Sequence, residues 1–266
     1  MGSLLAIEWL KIKRYRTFWV LVGLFALLLP LWNYSVANGF LKLGGSGKNG
    51  MNFLNTAYSF PEVWSNVGFW GSIFILFLAI LVIIVTTNEN AYRTNRQNVI
   101  DGWKRIEFYH AKVQLVVALS VLVTVYYAIL SIVFGIANSG SFSFSITDLR
   151  SISYFFLLSL DYLGLALFLS IWVRRSGLAI GLFLLYSMII ENIARGMINH
   201  YFDTPYGNLL PLQASDELLP FPLMMMTKAL LNQVDKIANT TYLIATLCWC
   251  GVYYVAGRAL LLRKDW

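Results

Sequence analysis

The sequence predicts an all-α, polytopic membrane protein with six transmembrane helices. Composition is the first observation, because 58% of the 266 residues are apolar and only 12% are charged, about half the charged share of a soluble domain. The mean hydropathy of +0.65 is the second. The third is a series of charge-poor runs, each long enough for the ~20-residue helix that crosses a hydrocarbon core.

The charge-poor runs, taken in order, define the six spans within one transmembrane domain, residues 1–266. Their predicted ranges are 18–38, 66–88, 113–137, 151–173, 177–198 and 238–260. No internal repeat is visible between the two halves of the chain. The polar segments that remain are an N-terminal helix at 1–17, a basic loop at 89–112 and a longer segment at 199–237.

The distribution of Lys and Arg predicts the orientation. Of the 20 cations, 14 fall on one side of the predicted spans, namely Lys11, Lys13, Arg14, Arg16, Arg93, Arg96, Lys104, Arg105, Lys112, Arg174, Arg175, Arg258, Arg263 and Lys264. Basic residues accumulate in cytoplasmic segments. Both termini are therefore expected in the cytoplasm, and the protein in the inner (cytoplasmic) cell membrane.

The first element, residues 1–17, is predicted to be an interfacial helix. Leu5, Trp9 and Ile12 recur at helical spacing, and charged residues lie between them. Such a helix lies in the headgroup layer, where Lys and Arg meet anionic lipid. A plain positive anchor for the first span is a compatible alternative. The residues expected at the membrane interface are Trp9, Lys11, Lys13, Arg14 and Arg16.

The basic segment 89–112 is expected to be a cytoplasmic docking element between the second and third spans. Its order is an acid, a helical stretch, a turn at Gly102 and then further cations, and glycine permits such a turn. Arginine and lysine here are suited to acidic groups on a partner. A solvated loop is the alternative. The predicted coupling residues are Glu89, Arg93, Arg96, Asp101, Gly102, Lys104 and Arg105.

The segment 199–237 is predicted to lie outside, before the last span. Its run Leu218–Leu231 is too short and too interrupted by proline to cross the membrane, yet too apolar for a free loop. Two arrangements fit: a re-entrant hairpin of short helices, or a cap over the ends of the spans.

Three ionisable residues fall within predicted spans: Asp161 in the fourth, and Glu191 and Arg195 in the fifth. The i, i+4 spacing of Glu191 and Arg195 predicts an ion pair. Charged residues at membrane depth usually face a bundle interior or a pathway, so all three are candidates for a translocation path. An ion pair near the outer interface and a protonated, hydrogen-bonded Asp161 are the structural alternatives.

Catalytic motifs are absent from the sequence. It contains neither a GxxxxGK[ST] phosphate loop nor an HExxH pair, so neither ATP hydrolysis nor metalloprotease chemistry is predicted. The +7 net charge does not indicate nucleic-acid binding, because the cations sit at span ends. Cys248 and Cys250 are two residues apart and point away from each other on a helix, so neither a disulfide nor a metal site is expected.

Two stretches resemble a known family. The first, Ile7–Leu21, contains an acid, then a Lys/Arg cluster, then aromatic residues at the start of the first span. The second is the basic loop, which contains in order Glu89, Thr94, Arg96, Gly102, Arg105 and Lys112. This pattern is similar to that of type-2 ABC exporter permease subunits, although Trp103-Lys104 stands where a small or polar pair is expected.

The resemblance implies a non-catalytic permease that exports a substrate or serves an envelope process. It would bind no cofactor itself, because ATP and Mg would sit on a separate ABC ATPase. A second permease copy or a paralogue and membrane lipid would be its other partners, in a two-plus-two complex. An ion-coupled secondary transporter using Asp161 and Glu191/Arg195 is the rival function, but the repeats and broken helices typical of that class are not visible.

Overall fold

Six helices are long and apolar enough to cross a membrane, in a computed structural model that describes residues 2–38, 58–91, 105–141, 143, 145–220 and 237–263. They are Arg16–Ala37, Val63–Glu89, Ile106–Ser139, Asp148–Val173, Ser176–Phe202 and Asn239–Arg263. The described residues form helices and no strands. The predicted all-α membrane fold and its six spans are therefore confirmed.

The helices, numbered in chain order, are α1 Gly2–Ile12, α2 Arg16–Ala37, α3 Val63–Phe74, α4 Leu76–Ala91, α5 Arg105–Ser139, α6 Ile146–Val173, α7 Ser176–Leu185, α8 Glu191–Phe202, α9 Pro211–Asp216 and α10 Asn239–Arg263. The second span combines α3 and α4 across a break at Ile75. The fifth combines α7 and α8 through a π-helical turn, Tyr186–Ile190.

The third span starts earlier than predicted, because α5 begins at Arg105 rather than near residue 113. Phe108, Tyr109 and Lys112 are all buried in its first turns. Aromatic packing and neutralisation of the lysine thus extend the helix beyond the charge-free run. The predicted loop 89–112 consequently overlaps α4 at one end and α5 at the other.

The fourth span lies at the centre of the bundle: 61% of its most apolar window is buried, against 17% for the fifth and sixth spans. The Phe155 ring stacks on Tyr127 with centroids 4.1 Å apart. A Cβ added at Gly71 would lie 2.5 Å from that phenyl ring. Glycine at this position lets the second span approach the fourth closely, a common device in membrane bundles.

The outward faces of the first, fifth and sixth spans remain apolar and exposed. Leu27, Ile193 and Val255 are each more than half exposed. Because helices satisfy their own backbone groups, such faces are compatible with lipid or with another membrane protein.

The two ends of the bundle differ. We call the end that carries α1, the end of α4, the start of α5 and the end of α10 the basic end, and the opposite end the distal end. At the distal end, the described part of segment 199–237 forms a 3₁₀ turn, Pro205–Leu209, followed by α9.

This distal segment packs between the spans. Leu212 and Leu219 are buried, and the Trp249 Nε1–H of α10 donates a hydrogen bond to the Leu209 carbonyl at 3.0 Å. Both short helices precede the predicted hairpin run, of which residues 221–236 lie outside the described residues, so the re-entrant arrangement and the cap both stay predictions.

Candidate functional site

The predicted coupling residues divide into two groups. Arg93, Arg96, Asp101, Gly102 and Lys104 lie outside the described residues. Glu89 and Arg105 belong to the helices that lead into and out of that segment, near the end of α4 and at the start of α5. The described structure thus shows how the loop is anchored.

The anchor is a buried charge network, comprising Glu8, Lys11, Glu89 and Lys112. The Lys112 ammonium donates to Glu8 Oε2 at 2.5 Å and to Glu89 Oε1 at 2.7 Å. Lys11 closes the network at 3.3 Å from Glu8 Oε1 and 3.2 Å from Glu89 Oε1. Two acids and two cations therefore join α1, α4 and α5.

Burial makes the members of the network interdependent. Glu8 is 0% exposed and Lys112 is 1% exposed, so either charge alone would carry a large desolvation cost. Although partial burial opposes its charge, attraction to Glu89 and Glu8 raises the pKa of Lys11. Each of the two carboxylates is therefore in contact with both ammonium groups.

Sequence reasoning placed these residues in separate elements. Contact with lipid is predicted for Lys11 and contact with an ATPase for Glu89, whereas in the structure Lys11 contacts Glu8 and Glu89, and Glu89 also contacts Lys112. Neither Glu8 nor Lys112 is among the predicted site residues. The i, i+3 spacing of Glu8 and Lys11 was the available signal, while their contact with α5 depends on tertiary structure.

The other predicted interfacial residues lie at the surface of the basic end. Lys13, Arg14 and Arg16 are exposed. Trp9 is 48% exposed and contacts Phe18 edge-to-face, with centroids 6.0 Å apart. An aromatic and basic surface of this kind is typical of a headgroup layer.

A second polar group lies toward the distal end and involves the predicted membrane-depth residues. Asp161 is fully buried on α6, and the Cys250 thiol of α10 lies 3.9 Å from its Oδ1. Glu191 is also buried, and its Oε1 accepts the backbone N–H groups of Leu212 at 2.7 Å and Gln213 at 3.0 Å. Glu191 therefore caps the N-terminus of α9.

The predicted Glu191–Arg195 ion pair is wrong. Arg195 instead directs its NH2 group to Glu217 Oε1 at 2.6 Å, its NH1 group to Gln213 Oε1 at 2.7 Å and its Nε–H to Asn208 Oδ1 at 2.8 Å. The distal segment offers Glu191 backbone donors and Arg195 acidic and amide acceptors. These partners replace the i, i+4 contact.

Close backbone packing holds the segment in this position. A Cβ at Gly207 would lie 2.5 Å from the Arg195 carbonyl oxygen. Asn199 Oδ1 accepts the Gly207 N–H at 2.7 Å. The 3₁₀ turn thus rests directly on the backbone of α8, where only glycine fits.

A cavity of 490 Å³ opens beside these polar groups. Asp216 lies in its wall and accepts a hydrogen bond from the Tyr162 hydroxyl, which is 3.0 Å from Oδ2. Burial raises the pKa of Asp216 to about 7. The residues that line the cavity are Phe69, Ser72, Ile73, Leu76, Tyr162, Ser187, Met188, Asn192, Arg195, Gln213, Asp216, Glu217 and Pro220.

The family of the chain follows from a comparison with known protein families. A family model described as ABC-2 family transporter protein matches residues 4–190, more than two thirds of the chain. The chain belongs to this family. The match includes all but the first two residues of α1, contains the buried charge network and ends one residue before Glu191. A search of curated proteins found no match.

Membership confirms the resemblance seen in the two N-terminal stretches. An ABC-2 protein of this kind is the multi-pass permease subunit of an ABC transporter. The general partner of such a subunit is an ABC ATPase.

Proposed function

We propose that this permease exports a substrate, or serves an envelope process, with energy supplied by a separate ATPase that docks on segment 89–112. The chain itself would be non-catalytic and would bind no cofactor, because ATP and Mg sit on the partner. Two ATPase copies and a second permease, identical or paralogous, complete the proposed assembly in the inner membrane.

The buried charge network is the observation that carries this proposal. Segment 92–104 connects α4 and α5, whose adjoining ends both bind α1 through Lys112 and its two carboxylate partners. A push on this segment is therefore transmitted to the second span, the third span and the interfacial helix together. A solvated connector would not need a fully buried lysine in its anchor.

The orientation follows from the basic end. With both termini cytoplasmic, segment 92–104 faces the compartment that contains ATP, as the positive-inside rule predicts. Single cysteines at Ser141 and Arg175, in a background with Cys248 and Cys250 changed to serine, test this placement. An impermeant thiol reagent applied outside should label Ser141→Cys and spare Arg175→Cys, and the reverse pattern would overturn the orientation.

The test of coupling is the double charge reversal Arg96→Glu/Arg105→Glu. Each exposed pair contributes only ~0.2–1 kcal/mol, but two reversals on one short docking element replace attraction with repulsion. We expect loss of the co-purifying ATPase, or loss of its stimulation, while the permease remains folded in detergent.

The matched control is Arg174→Glu/Arg175→Glu, which makes the same charge change on the short connector between α6 and α7 at the same end. Normal ATPase recovery and stimulation in the Arg96/Arg105 variant would refute the docking role. Equal loss in both variants would show that the net charge of this end, rather than the coupling segment, is responsible.

A further inference from the structure

The cavity at the distal end has two chemically different walls. Phe69, Ile73 and Leu76 of the second span form an apolar wall. Asp216 and Glu217, at the C-terminal end of α9, belong to a polar wall. A volume of 490 Å³ is within the range of small-molecule sites, which combine apolar lining with a few convergent polar groups.

The polar wall contains two carboxyl groups, Asp216 and Glu217, and one of them is paired with a cation. Arg195 is already engaged by Glu217 at 2.6 Å. Asp216 accepts from the neutral Tyr162 hydroxyl, and no Lys or Arg of the described ranges lies within ion-pair distance of it.

Two further buried carboxyl groups stand close to this wall. Asp161 Oδ2 and Glu191 Oε2 are buried and make no hydrogen bond to any described residue. Together with Asp216 and Glu217, these make four carboxyl groups in the region, and Arg195 is the one cation among the described residues that line the cavity. Pairing with a bound cation would favour the ionised form of Asp216, whereas an anion would find Arg195 already engaged by Glu217.

The apolar wall continues to the membrane-facing surface. Ile73 is 43% exposed and Met188 is 61% exposed, although both line the cavity. A molecule dissolved in the bilayer would therefore reach the cavity sideways, between the second and fifth spans, without crossing the distal surface.

We propose that this cavity binds an amphipathic cation, a molecule with a primary ammonium or guanidinium group attached to an apolar body. The cationic group would pair with the Asp216 carboxylate, and the apolar body would lie against Phe69, Ile73 and Leu76. An anionic amphiphile would meet an Arg195 that is already paired with Glu217, while a neutral one would leave Asp216 without a cation.

This inference names a substrate class and thus deepens the proposed function, but binding is measured on the permease alone. The probe is decylamine with a diazirine at the end of its chain, applied to the full-length protein in nanodiscs of zwitterionic phospholipid. Probes with the same chain and an alcohol or carboxylate head serve as ligand controls. Labelled peptides are identified by mass spectrometry.

We expect the amine probe to label the cavity wall and to be displaced by unlabelled decylamine. A charge-assisted hydrogen bond contributes ~1.5–3 kcal/mol, so Asp216→Asn should reduce cavity labelling about tenfold or more. Asp216→Glu should retain it. Glu62→Gln removes an exposed acid at the same end outside the cavity and should have no effect.

Equal labelling by the three probes, amine labelling outside the cavity, or undiminished labelling of a folded Asp216→Asn protein would each overturn the proposal. If Asp216→Asn does not fold, Asp216→Glu and the three-probe comparison decide the question. A negative result here leaves ATPase docking untouched, because that is measured by co-purification and not by ligand binding.

Discussion

Replacing Lys112 by methionine is the sharpest test of the buried charge network. The side-chain ammonium is 1% exposed and binds carboxylates at 2.5 and 2.7 Å. Methionine keeps most of the volume but leaves Glu8 and Glu89 with Lys11 as their one remaining cation. Removing one partner from a buried pair costs about 3–5 kcal/mol; we expect about 3 kcal/mol because Lys11 compensates one acid.

The double variant Lys112→Met/Glu8→Gln separates a network from independent contacts. Each single substitution leaves one buried charge in excess, whereas the double variant leaves the balanced pair of Lys11 and Glu89. Its cost should therefore be smaller than the sum of the single costs by at least about 1 kcal/mol, a typical coupling energy for residues in contact.

The measured quantity is the free energy of unfolding in mild detergent. Unfolding is monitored by the loss of the helical circular-dichroism signal as denaturant is added. Lys13→Met removes an exposed cation at the same end and should change stability by less than about 0.5 kcal/mol. Additive costs, or a Lys112→Met protein as stable as Lys13→Met, would show that the four groups do not act together.

Two other predictions concern the distal end. Because burial raises the pKa of Asp216 above its unfolded value to about 7, its contribution to stability is fully present below about pH 4 and is lost as the pH rises through 7. Thermal midpoints at pH 5 and pH 8 should show this fall in the native protein and a smaller one in Asp216→Asn; equal slopes would contradict it. Gly207→Ala places a methyl group 2.5 Å from the Arg195 carbonyl oxygen and should cost about 1–3 kcal/mol. In the control Gly181→Ala, the added methyl group meets nothing within 4 Å, and the substitution should be neutral or stabilising. Equal losses of stability in the two variants would show that the contact between Gly207 and the Arg195 backbone is not the cause.

The spans were predictable because the membrane imposes a simple length and polarity rule. The fold class and the six helices followed from charge-free runs, and the N-terminal helix followed from the spacing of Leu5, Trp9 and Ile12. The early start of α5 was missed because its first turns contain Lys112. A buried lysine is indistinguishable from a loop lysine until its partners are known.

The candidate sites were only partly predictable for the same reason. Asp161, Glu191 and Arg195 were recognisable as unusual within spans. However, the partners of Glu191 and Arg195 come from the distal segment, more than ten residues away in sequence, and the Cys250 thiol beside Asp161 comes from α10. Local spacing favoured an i, i+4 pair, while the tertiary structure supplied acceptors for Arg195 and backbone donors for Glu191. Asp216 carried no sequence signal that distinguished it from an ordinary loop acid.

The π-helical turn Tyr186–Ile190 has a consequence for the geometry of the whole fifth span. In an uninterrupted α-helix, Phe183 and Glu191 would point in directions ~80° apart, because each residue turns the helix by ~100°. A π turn accommodates one additional residue, which reduces that angle to ~20° and places both buried side chains in line. The π turn thus sets the angle between the apolar half of the span, α7, and its polar half, α8, so that the buried side chains of both halves face the same way. Deleting one residue there would give a regular α-helix in which both side chains stay in line, seven residues and ~20° apart, whereas inserting one further residue would turn the acidic half by ~100°.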